Sequence, residues 1–168
     1  FERYPVKDFF TLTLVTDGVW EFSLNNIDYR LDAPFIFCLN ETDTFTLQKQ
    51  ERGAAKTFIF DATFINSSLT KEALSSNSFE NIEDMHDRNL VQAFFLRNNS
   101  YNGILPLNAP SSIQINNWMS IMGAECLSQS DGKWTCRIRR YLLQVLYILE
   151  DGFVLCYEKK VTQKQPID

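Results

Sequence analysis

His86 is the only histidine of the chain, and it sits among Glu83, Asp84 and Asp87. A histidine beside carboxylates can hold a divalent cation or relay a proton. Transition-metal sites in small barrels draw on two or three histidines, and neither an HxH pair nor a nearby cysteine joins His86. It reads as a solvated histidine in an acidic loop, and Glu83 with Asp84 reads as a solvated face. The four cysteines, Cys38, Cys126, Cys136 and Cys156, have no CxxC spacing. A thiol nucleophile needs a base within reach, and His86 is the one imidazole available to all four. They read as packing side chains. The chain opens with no secretory signal, so it is expected to be cytoplasmic and its thiols free. There is no GxSxG, no glycine-rich phosphate loop and no HExxH, and the six glycines do not cluster. The expectation is a protein that is not an enzyme and uses no cofactor or metal.

Binding offers more than catalysis does. Aromatic residues recur on alternate positions: Trp20, Phe22, Tyr29, Phe37, Phe45, Phe58 and Phe60. A small closed barrel either fills with such side chains or leaves a cavity for a ligand. Trp20, Phe22, Tyr29 and Phe37, with Tyr4, are the candidate effector-binding residues. Alternation puts Glu21 and Arg30 on the other side of the same hairpin from Trp20 and Tyr29. Lys133, Arg137, Arg139 and Arg140 form a basic group, but the net charge of −5 argues against holding a polyanion. These residues read as a solvated or interfacial rim. No apolar run approaches the ~18 residues of a membrane helix, so no membrane partner is expected.

The elements that position these residues change period along the chain. Residues 9–61 alternate at period two in six short runs, with turn signals at Asp17 and Gly18, at Asn25 and Asn26, and around Pro34. Residues 48–55 read as a polar loop, and residues 66–89 as a loop with a short helical turn. Residues 104–107 read as a last extended segment, which Pro106 restricts to an edge. Such spacing predicts an antiparallel barrel or sandwich. Two helices follow, the first capped by Ser111 or Ser112 and the second beginning near Trp134. In the second, Ile138, Leu142, Val145 and Leu149 share one face, while Leu143 and Tyr147 lie on the other. A helix apolar on both sides needs two packing partners, and only one is evident. A homodimer through this helix is the expectation, with Arg139, Arg140, Leu143, Tyr147 and Glu150 at its interface.

Three stretches carry a family resemblance. Leu12-Thr-Leu-Val-Thr-Asp-Gly18 followed by Trp20-Glu-Phe-Ser-Leu-Asn-Asn-Ile-Asp-Tyr-Arg-Leu31 is similar to the glycine turn and paired strands of AraC-family transcriptional regulators. Ala33-Pro-Phe-Ile-Phe-Cys-Leu-Asn40 resembles the next strand, and residues 113–127 with 134–149 resemble the helix pair behind the barrel. The resemblance covers residues 9–158 and rests on the order of the motifs. It implies an α+β, mainly β fold: a cupin-like antiparallel β-barrel, or jelly roll, followed by an antiparallel helix pair. It further implies residues 1–108 as an effector-binding barrel, 109–157 as a dimerisation unit, and 158–168 as a linker towards a helix-turn-helix DNA-binding domain outside this chain. DNA would be bound only through that domain. The chain departs from catalytic cupins in lacking their metal histidines. The alternatives are a cupin enzyme of isomerase or dioxygenase type and a ligand-free dimerisation scaffold. Phe1, in place of Met, suggests a trimmed N-terminus.

Overall fold

The computed structural model describes residues 5–159. Its five strands are β1 (Phe10–Leu24), β2 (Ile27–Asp32), β3 (Phe35–Leu39), β4 (Phe45–Phe60) and β5 (Ile104–Pro106), and its four α-helices are α1 (Lys71–Ser76), α2 (Ile82–Val91), α3 (Ala109–Ser128) and α4 (Trp134–Glu158). The chain is α+β, with an antiparallel sheet curled into a half-barrel. Helix accounts for 43% and strand for 29%, so the expectation of a mainly β chain is corrected.

β1 organises the sheet. Along one edge it pairs with β4 over nearly its whole length; along the other it pairs first with β3, then with β2. The turn expected at Gly18 is instead a bulge within this long strand. The register against β4 shifts on both sides of Asp17, and Gly18 has φ +93°. Glycine satisfies both constraints there, because a Cβ would come within 2.2 Å of the Glu51 carbonyl oxygen. The supposed polar loop at 48–55 is likewise the middle of β4. Its side chains are polar because both faces are open to water there, which one-sided hydrophobic alternation cannot register. β5 forms the far edge beside β3, where Pro106 is tolerated.

Alternation along β1 and β3 feeds two cores. Leu12, Leu14, Ile36 and Cys38 face the helices and meet Val91, Phe94, Met119, Met122, Ile138, Leu142, Val145 and Leu149. The opposite residues of β3, Phe35, Phe37 and Leu39, face into the curl. There they join Val15, Trp20, Phe22 and Leu24.

The helical layer is larger than the sequence suggested. The stretch read as a loop at 66–89 holds α1 and all but the last two residues of α2, each begun by a side-chain cap: Thr70 Oγ1 accepts from the Ala73 N–H at 3.2 Å and Asn81 Oδ1 from the Asp84 N–H at 2.8 Å. These helices are short and polar, so they lack the apolar stripe that marks a helix in sequence. α3 is capped by Asn108, not by Ser111 or Ser112; Asn108 Oδ1 accepts from the Ser111 N–H at 2.8 Å. Pro110 in the first turn is pre-organised for a helix start, which moves the cap upstream. Arg137 closes the α3–α4 hairpin with paired bonds of 2.9 Å to Glu125 and a further bond of 3.0 Å to Asp131.

Candidate functional site

Strand alternation brings four of the five candidate effector residues together inside the curl. Phe22 and Phe37 are fully buried and their rings meet edge to face at 4.9 Å; Tyr29 stacks on Phe22 at 5.3 Å, and Trp20 lies 6.4 Å from Phe37. Phe35 and Phe45 complete the cluster. The fifth, Tyr4, lies outside the described residues. Glu21 and Arg30 form an ion pair of 2.5 Å on the outer side of the β1–β2 hairpin, as alternation requires. The Glu21 carboxylate holds the exposed Arg30 guanidinium in its charged form even more firmly than usual.

Two polar groups of this inner face are buried without a hydrogen-bond partner: Nε1 of Trp20 and Oγ1 of Thr11. Thr11 stands opposite Leu39 in the ladder and so shares the inner face. A buried donor without an acceptor is rare in a finished core and calls for a physical reason.

One end of the curl is closed by a polar network that the sequence did not reveal. The Tyr29 hydroxyl accepts from Asn102 Nδ2 at 3.1 Å, and Asn25 Nδ2 donates both to Asn102 Oδ1 and to Asp43 Oδ1. Asp43 is buried and pairs with Arg97 at 2.8 Å. Arg97 also donates to the carbonyls of Cys38, Ala93, Phe94 and Leu96. One guanidinium thus ties β3 and the β3–β4 turn to the 3-10 turn Gln92–Phe94 beneath α4. Gly103, with φ +92°, leaves room for it: a Cβ there would lie 2.9 Å from Arg97 Nη2. Nearby, burial pushes the Cys38 thiol up to about 12, against the opposing pull of Arg97. The only sequence signal for this network was an arginine at the mouth of an asparagine-rich turn.

The candidate interface residues have mixed surroundings. Arg139 donates twice to the Ile65 carbonyl, at 2.6 and 3.0 Å, and Leu143 packs partly buried against the chain's own core. Tyr147 is 48% exposed with its ring 6.0 Å from His86 of α2. Arg140 is exposed and Glu150 half-buried. The second packing partner sought for this helix is therefore supplied in part by α2 of the same chain, concealed in sequence because α2 looked like a loop. Basic side chains near the start of α4 have local work: Arg137 closes the hairpin and Arg139 holds the turn at Ile65.

His86 lies 3.6 Å from Asp87, and among the described residues no group of three or more His, Cys, Asp or Glu side chains is placed to hold a metal. Cys38 is buried, Cys126 and Cys136 are exposed, and all four thiols are free. No described helix is long and apolar enough to cross a membrane. Outside the curl, a cleft of about 480 Å³ opens between the approach to β1, the β3–β4 turn and α1. Phe10 and Leu74 line its apolar part, while Lys71 bridges Asp8 and Glu41 on its polar part. The Lys71 ammonium, and then the Asp8 N–H, hold the half-buried Glu41 carboxyl below its ordinary value. No family model matches the chain, and no curated protein matches it.

Proposed function

We propose that this chain is the effector-sensing and dimerisation unit of an AraC-family transcription regulator, whose barrel is cupin-like and whose DNA binding resides in a further C-terminal domain. The observation that carries the sensing role is the pair of unpartnered polar groups, Trp20 Nε1 and Thr11 Oγ1, on an inner face otherwise made of aromatic and aliphatic side chains. A small molecule with an apolar body and a hydrogen-bond acceptor answers that chemistry: rings stack on it, and its acceptor takes the indole proton. Trp20, Phe22, Tyr29 and Phe37 are the contact residues. Since they pack on one another, the ligand selects an opened form of the cluster, and binding shifts that population. The route outward runs from Tyr29 through Asn102, Asn25 and Asp43 to Arg97, and so to the turn against which α4 packs. The helical pair is the unit through which two copies join, and DNA is contacted only by the further domain.

The closed packing of Phe22 and Phe37 favours a second reading, a ligand-free dimerisation scaffold. A thermal-shift screen of sugars, aromatic acids and bile-type molecules separates the two. A ligand of the native state raises the melting temperature, by about 2.7 kcal/mol of stabilisation at a hundredfold excess over Kd. The sensing role predicts a hit whose shift is lost in Trp20→Phe, which removes the indole donor and keeps a ring. A screen without hits, or a hit indifferent to Trp20→Phe and Tyr29→Phe, overturns the assignment of this face.

A further inference from the structure

The cleft between the approach to β1, the β3–β4 turn and α1 lies apart from the inner face of the curl: none of Trp20, Phe22, Tyr29 or Phe37 lines it. Its volume of about 480 Å³ falls within the span of small-molecule sites, about 300–1,000 Å³. Its floor is apolar. Leu69 is buried there, and the rings of Phe10 and Phe95 stack nearly parallel with centroids 6.4 Å apart. At the mouth, Phe9 leaves 40% of its surface in water. α1 forms one wall yet buries no residue completely, so the recess on that side is bounded without being filled.

The lining is lopsided in charge. Asp8, Glu41, Asp61 and Glu72 face Lys71 as the one cation, which leaves four carboxylates against one ammonium, a formal charge of −3. Lys71 already answers two of the four, reaching Asp8 at 3.3 Å and Glu41 more closely. Glu41, and then Asp8, hold that ammonium in its charged form more firmly than usual. Asp61 gives one oxygen to the Thr63 N–H, and Glu72 has no ion-pair partner among the described residues. A recess lined by one sign of charge over low-dielectric walls concentrates the opposite ion. The floor acts in the same sense, because the face of an aromatic ring attracts cations. Phe95 already takes the Arg88 guanidinium at 5.2 Å from its centroid.

We propose that this cleft binds a small organic cation, an amine or guanidine carried on an apolar body. The body lies over Phe10, Phe95 and Leu69, and the charged head faces Glu72 and Asp61. Charge complementarity selects this occupant. An anion would have Lys71 as its sole anchor, and two carboxylates already engage that ammonium. A polyamine has charge enough but leaves the aromatic floor in water. The proposal stands independently of the role assigned to the inner face.

Calorimetric titration of the 168-residue chain with 2-phenylethylamine tests this, beside 3-phenylpropionate as the matched anion and spermidine as a cation without an apolar body. The salt is held at about 0.15 M, where charge alone is largely screened. Phenylethylamine binds with a Kd of about 0.1–1 mM, the range open to a ligand of about nine heavy atoms, and at least ~10-fold more tightly than either companion. Asp61→Asn with Glu72→Gln weakens it at least ~10-fold. Both positions are exposed, and asparagine keeps the acceptor for the Thr63 N–H, so this variant retains its melting temperature. Lys71→Met tightens binding about 5-fold, because it releases Asp8 and Glu41 to the ligand. Trp20→Phe leaves the Kd unchanged, so this site and the inner face fail or stand separately. A flat titration at millimolar amine overturns the proposal. So does phenylpropionate or spermidine binding as tightly as the amine. Loss of binding in Lys71→Met, or indifference to Asp61→Asn with Glu72→Gln, overturns it as well.

Discussion

Replacing Arg97 by alanine removes the cation that faces the buried carboxylate of Asp43. The Arg97 side chain is 20% exposed and that of Asp43 4%, so solvent screening relieves little of the loss. Asp43 would keep the Asn25 amide and the Asn40 N–H as donors, but would lose its paired positive charge. Breaking a buried pair by deleting one partner costs about 3–5 kcal/mol. Four carbonyls lose a charged donor at the same time, which places the expected loss at the upper end of that range. Against a typical total of about 5–15 kcal/mol the variant remains folded but marginal. At about 2–4 °C per kcal/mol for a chain of this size, a loss of about 5 kcal/mol lowers the melting temperature by roughly 10–20 °C. Urea titrations followed by far-UV circular dichroism at pH 7 give the number. A companion comparison isolates the cause: Arg97→Met with Asp43→Asn leaves no orphaned charge and is more stable than Arg97→Met alone. A loss below about 1 kcal/mol, the range of an exposed ion pair, refutes the reasoning. So does a double variant no better than the single one.

Gly18→Ala places a Cβ against the Glu51 carbonyl at a backbone angle that alanine resists, so it destabilises by at least ~1–2 kcal/mol; a neutral urea midpoint contradicts the bulge. The Cys38 thiol has a folded value raised from 9.0 to about 12, so its neutral form favours the fold. That contribution is whole below about pH 9 and declines as pH rises towards 12, by at most ~1.4 kcal/mol per pH unit. Cys38→Ala should therefore show a shallower alkaline loss of stability than the wild type, and an unchanged slope argues against a buried thiol. In native protein a chromogenic disulfide reagent should label the exposed Cys126 and Cys136 while Cys38 reacts only on unfolding; prompt labelling of Cys38 in the folded chain contradicts its place in the core.

Period two within the β1–β2 hairpin determined which side chains share a face, and the structure keeps that division, with Trp20 and Phe22 on one side and Glu21 and Arg30 on the other; across the bulge the phase reverses, so Leu12 and Leu14 face the helices. Alternation is a local property of the pleat, so it survives whatever the strands later pair with. The helix pair was legible for the same reason, since Ile138, Leu142, Val145 and Leu149 mark a core stripe by spacing alone. Where a strand bends instead of turning was not legible. Asp17 and Gly18 carry identical turn chemistry in a hairpin and in a bulge, and only the run of β4 alongside decides between them. Polarity hid the middle of β4, whose two ends were legible as strands, and hid α1 and α2, because a solvated strand or a short capped helix carries no apolar period. Tertiary structure alone decided the role of Arg97, whose partners Cys38 and Asp43 lie 59 and 54 residues away in sequence. It also decided which helix face meets water. Composition shows α3 to be apolar, but only packing shows that Ile113 and Leu127 turn away from the core that buries Ile115 and Met122.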